Sequence, residues 1–191
     1  MHSTTYGCEM DVAEVTKSRW TKSLGSLRSD ARLFARTLRD RSHATSELFV
    51  VGDPGCEPWH FAAHMTDEAI LNGRRDLVPT LLRWTVPPGA PSHLSVSVDE
   101  MLRISSNRTI LVINPVDSAF PELLERVHVA KKRGSRIMTL HRGDAELVDL
   151  SHETLAVNAS RPIREFDFAQ HVITDMTPEA SRHRWHHLHR G

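Results

Sequence analysis

Three short apolar runs, each closed by a turn and followed by an amphipathic stretch, constrain this chain more than any other feature. Leu48-Phe49-Val50-Val51, Thr109-Ile110-Leu111-Val112-Ile113 and Ser135-Arg136-Ile137-Met138-Thr139-Leu140 are rich in β-branched residues and have the length of strands. Between them, apolar residues recur every three or four positions, the spacing of a helix with one buried face. Strands that alternate with helices imply a mainly parallel sheet with helices on both faces. The predicted class is α/β, a three-layer sandwich.

The remaining elements follow from the same periodicity. Val15, Leu24, Leu27, Ala31, Phe34 and Leu38 predict one long N-terminal helix over about 12–41, or two short ones broken at Gly25. Such a stripe serves a partner helix as readily as the chain's own core. A helix is predicted from Glu57 to about Leu71 with Pro58 in its first turn. A Pro-rich loop covers 85–91, and a short helix 98–104. Further helices are predicted over 119–132 and 162–176, with a strand over 154–157. The expected organisation is one domain over residues 1–176 and a basic, His-rich tail over 177–191 that includes His183, His186, His187 and His189.

Composition narrows the function classes. Among 191 residues, 24 Lys and Arg balance 24 Asp and Glu, so no bulk charge calls for nucleic acid or a membrane surface. No apolar run approaches the ~20 residues of a membrane span, and the start of the chain lacks a signal-like pattern. A cytoplasmic protein is the expectation. Cys8 and Cys56 form no CxxC pair and predict no disulfide framework.

The candidate chemistry lies in Trp59-His60-Phe61-Ala62-Ala63-His64, just past the first strand and the turn Gly52-Asp53-Pro54-Gly55. Open α/β sheets build their sites at that end of the strands. His60 and His64, four residues apart, share one helix face. Asp167, His171 and Asp175 repeat the spacing on the last helix, whose Ile163, Phe166, Val172 and Ile173 face elsewhere. If the two faces meet, they form a site with up to three imidazoles and two carboxylates, suited to Zn²⁺, Fe²⁺ or Mn²⁺. Each residue alone has a plainer reading, as a surface histidine or a solvated charge. Cys56 is either a thiolate favoured by a helix N-terminus or a small turn residue. His141-Arg142-Gly143-Asp144 lines the same cleft or is only the turn after a strand.

The order of elements over about 12–176 resembles the sugar-isomerase (SIS) domain family, most nearly its phosphoheptose isomerase branch. Leu48 to Gly52 stands where that family has its first core strand and glycine turn, and His60-Phe61-Ala62 matches its His-Phe-Ala. Thr109 to Ile113 followed by Val127 to Gly134 matches its second strand and helix end. The resemblance implies a small-molecule substrate, a homodimer or homotetramer built on the long helices, and substrate contacts at Gly52, Asp53, Gly55, Cys56, Asn114 and Ser118. It also aligns His60, His64, Asp167 and Asp175 with a set that holds zinc in some members, and so implies a divalent-metal site. His64, His171 and Asp175 would then be the acid–base groups.

Departures from the family pattern sit in its ligand loops. Gly52-Asp53-Pro54-Gly55-Cys56 replaces Gly-Asn-Gly-Gly-Ser, and Asn114-Pro115-Val116-Asp117-Ser118 replaces a loop rich in Ser and Thr. Asp53, Glu57 and Asp117 would repel a phosphate dianion. His64 stands in place of a glutamate. Three functions are consistent with this pattern: a metal-dependent enzyme on a new substrate, a phosphosugar aldose–ketose isomerase, and a non-catalytic regulatory or assembly protein.

Overall fold

The computed structural model describes residues 23–45, 47–90, 95–103 and 107–178. Its centre is a five-stranded, wholly parallel sheet of order β2-β1-β3-β4-β5. The strands are β1 (Leu48–Gly52), β2 (Thr80–Leu81), β3 (Thr109–Asn114), β4 (Arg136–His141) and β5 (Glu153–Ala156). Alternation along each strand sends its side chains to opposite faces. Leu48, Val50, Leu111, Ile113, Met138 and Leu140 join one core, whereas Phe49, Val51, Ile110, Val112 and Ile137 join the other.

The helices α1 (Ser23–Thr45), α2 (Trp59–Leu71) and α5 (Ile163–Met176) cover the first face. They bring Leu27, Ala31, Phe34 and Leu38, then Phe61, Met65 and Ala69, then Phe166, Ala169 and Ile173. On the second face lie α3 (Pro121–Lys132), α4 (Ala145–Leu150) and the 3₁₀ turn Val98–Leu102. Leu123, Val127, Ala130, Leu147, Val98 and Met101 pack there. The expected three-layer architecture is present.

Several boundaries differ from the sequence reading. The first helix runs through Gly25 unbroken, since a Cβ there would meet nothing within 4 Å and burial of Leu27 and Ala31 holds the turn. It continues to Thr45, past the expected end at 41. Residues 12–22, part of the same expectation, lie outside the described residues. Strand β2, helix α4 and the 3₁₀ turn Arg75–Leu77 were not predicted, because two to six residues carry too little periodicity to read. Of the expected tail, Thr177 is buried and bonded to Ile173, so the packed fold extends at least that far.

Strand order reverses between β1 and β3, where the chain leaves β1 for β2 and returns on the other side. The carboxyl ends of these two strands therefore mark the switch point at which such sheets form their crevice.

Candidate functional site

The two loops at the switch point are occupied by the chain's own carboxylates. Asp53 accepts hydrogen bonds from the backbone N–H of Gly55 at 3.2 Å and of Phe120 at 3.0 Å. Phe120 precedes α3, so a side chain of the first loop takes an amide at the mouth of the second. Asp144 does the same one strand along. It caps α4 through Leu147 N–H at 2.9 Å and reaches Ala119 N–H at 2.6 Å. Backbone amides at helix starts are what an anionic ligand would use. Here a carboxylate meets each of the four.

Apolar and ionic contacts close the same region. Glu57 accepts from Arg83 Nε at 3.1 Å and from Trp84 N–H at 2.7 Å, and Trp84 Nε1 donates to Gly52 O at 2.8 Å. Phe120 stands edge-on to Trp84, with ring centroids 5.5 Å apart, and Arg126 lies over the Trp84 ring. Gly52 has a packing role: a Cβ there would sit 2.6 Å from Cys56 O and 2.7 Å from Pro58 Cδ. Ser118 is exposed, and Asn114 is buried with its amide nitrogen donating to Val116 O. The six predicted substrate contacts are thus brought to one end of the sheet, and of these Asp53 is turned inward on the loops themselves.

A polar cluster lies beside them, where β4 and β5 end. Arg142 donates to the carbonyls of Ala159 and Arg161 and stands 3.8 Å from Asp117. Asp167 accepts from Gln170 at 3.3 Å. Burial pushes the Asp167 carboxyl above its ordinary range, against the opposing pull of Arg142 and of the Gln170 bond. His141 is buried, accepting from Gly143 N–H and bonded to Thr154; burial lowers its pKa, with Asp144 opposing.

The imidazoles gather elsewhere, between α2 and α5. Nε2 of His60 and Nε2 of His64 are 2.9 Å apart, one donating its proton to the other. The His171 ring meets His64 edge-on, with centroids 5.6 Å apart. Burial lowers the His171 pKa, aided by His64 and His60 and opposed by Asp175. The expected meeting of the two helix faces therefore occurs through His171.

The four-residue metal set is divided between two places. Asp167 belongs to the Gln170 and Arg142 cluster, and the lone pair joining His60 to His64 is spent within the pair. Among the described residues no group of three or more His, Cys, Asp or Glu side chains is placed to hold a metal ion. As arranged, His60, His64, Asp167 and Asp175 do not fit one. Asp167 lies on α5 as the helical spacing predicts, but which neighbour it meets depends on the strand ends packed against that helix.

Cys56 corrects the expectation that the cysteines form no disulfide. It is disulfide-bonded, so it offers no thiolate. Cys8, the other cysteine of the sequence, lies outside the described residues. Trp84 is a site residue that the sequence reading does not name, and Asp144 is named there only as cleft lining or as the turn after a strand, not as a cap. Asp144 carried a signal, a capping residue directly before an apolar-periodic stretch; Trp84 carried none.

The architecture defines a class, the doubly wound parallel α/β domain, and comparison gives the fold. The NanR protein of Vibrio vulnificus, solved in complex with ManNAc-6P, matches at TM-score 0.50 and 16% identity, over 82% of this chain and 56% of that one. A candidate phosphosugar isomerase from Silicibacter pomeroyi DSS-3 matches at TM-score 0.56 and 15% identity, over 83% and 46%. The sugar isomerase domain of the RpiR transcription factor from Sphaerobacter thermophilus matches at TM-score 0.49 and 11% identity, over 75% and 76%. The chain has the SIS-domain fold, and spans about half the length of the first two proteins. No protein-family model matches the sequence, nor does any curated protein. Among the described residues no helix is long and apolar enough to cross a membrane.

Proposed function

We propose that this chain is a sugar-binding SIS domain that holds its ligand without a phosphate anchor. The ligand class rests on analogy with proteins of the same fold, such as one solved with ManNAc-6P and one described as a phosphosugar isomerase. The missing anchor rests on this chain. One observation carries it: the carboxylate of Asp53 occupies the amides of Gly55 and Phe120, where a phosphate would seat. A dianion brought to that point would have to displace Asp53 and then sit beside it, and like charges a few ångströms apart repel strongly in a partly buried loop.

A second reading, proton transfer on the bound sugar, is favoured by the contact of exposed His64 with His171. Aldose–ketose chemistry needs a base beside the carbonyl carbon and an acid for its oxygen. His171, whose pKa burial lowers, takes the part of the base, and His64 that of the acid. Solvent deuterium entering the carbon next to the carbonyl of an aldose, lost in His171→Gln, is the expected signature.

The main test is a thermal-shift series on the full chain with six- and seven-carbon aldoses and ketoses, their terminal phosphates, and inorganic phosphate. A ligand that binds only the folded state raises Tm with its concentration. Free sugars should match their phosphates, and inorganic phosphate should do nothing. A shift seen with the sugar phosphates alone would overturn the reading.

A further inference from the structure

The imidazole cluster borders a groove that none of the chemistry above uses. It runs between the outer face of α2 and the edge strand β2, with a volume of about 690 Å³. Trp59, Ala62, Ala63 and Thr66 recur at helical spacing to form one wall, and Val78, Pro79 and Leu81 form the other, with Asp67 and Arg83 at its polar positions. Trp59 is 53% exposed although it is among the largest apolar side chains of the domain. Its ring lies 5.2 Å from that of His60.

We infer that this groove is the sugar subsite, with Trp59 as its stacking platform. The inference rests on the proposed sugar-binding function and names where that ligand sits. A sugar ring has one face of C–H groups and a rim of hydroxyls. It matches a flat aromatic face flanked by a few hydrogen-bonding groups, the usual make-up of a small-molecule site. The volume lies within the ~300–1,000 Å³ of such sites. A stable protein partner would instead bury on the order of 800 Å² per side.

The rim supplies both hydrogen-bonding signs. Arg83 spends Nε on Glu57, and its terminal nitrogens have no partner among the described residues. The Asp67 carboxylate is exposed and likewise unpartnered among them. One donor and one acceptor, set across an apolar floor of alanines, suit neighbouring hydroxyls of a neutral ring. Going round α2, the angular order is Ala63, Asp67, His60, His64, so a ring stacked on Trp59 has the imidazoles at its edge.

Saturation-transfer NMR on the full chain, with glucose, mannose, galactose and maltose as probes, tests the inference. Trp59→Ala should weaken the bound sugar at least tenfold, Trp59→Phe less, and Asp67→Ala several-fold, each with an unchanged melting curve. Binding that persists unaltered in Trp59→Ala would overturn the groove while leaving sugar binding in place. No saturation of any sugar by the native chain would overturn both. Sedimentation that shows Trp59→Ala splitting a native dimer would make a second copy the occupant and overturn the sugar subsite.

Discussion

The switch-point loops and the face between α2 and α5 stand in contrast. At the loops almost every strong group is spent internally: Asp53 and Asp144 bind four amides, Glu57 holds Arg83 and Trp84, and Phe120 packs on Trp84. On the helix face, His64 and Asp175 are exposed and three imidazoles crowd one another. Internally paired groups and exposed ones have separated within one fold. The loops that resemble a ligand cradle act as a structural clamp, and the open chemistry lies on the helices beside them.

The clamp should fail hardest at Gly52. Gly52→Ala places a Cβ against backbone on two sides, at 2.6 Å from Cys56 O and 3.0 Å from Ile113 O, and should cost about 3 kcal/mol or more in denaturant unfolding. An unchanged midpoint would show that the two loops move freely. Asp144→Ala should come next, at about 2 kcal/mol, since it removes a helix cap and strands the buried Ala119 amide.

Acidification tests the helix face. The pKa values of His141, His152 and His171 are all lowered by burial, so the unfolded chain binds more protons than the folded one. Stability should be fully present above pH ~6.5 and decline as pH falls through that value and through the folded pKa values. His171→Gln should flatten part of that decline. A curve equally steep in the variant would place the whole effect on His141 and His152.

Asp167→Asn should give the smallest effect, with opposite sign. Burial raises the Asp167 pKa, so its charge at neutral pH opposes folding; the amide should raise Tm slightly at pH 7 and lose that advantage in acid. A fall in Tm at pH 7 would mean that Arg142 outweighs desolvation.

Much of the fold was legible in the sequence. The β-branched runs at 48–51, 109–113 and 135–140 can serve only as buried strands, and Phe61, Met65, Phe166 and Ile173 at helical spacing need a sheet to cover. The pair His60 and His64 was equally plain, because four residues along a helix fix a shared face. The metal set was not legible. Asp167 and His171 occupy one stripe of α5, yet the first meets the strand ends and the second meets α2.

By itself the sequence determined the parallel α/β class, the two-sided core and the placing of histidines on one face of α2, since all three follow from local period and residue type. Only the tertiary structure decided that Asp53 and Asp144 fill the loop amides, that Asp167 parts from the histidines, and that Trp59 borders an open groove. Those outcomes depend on contacts between segments well separated along the chain, set by how strands and helices pack and not by any short-range pattern.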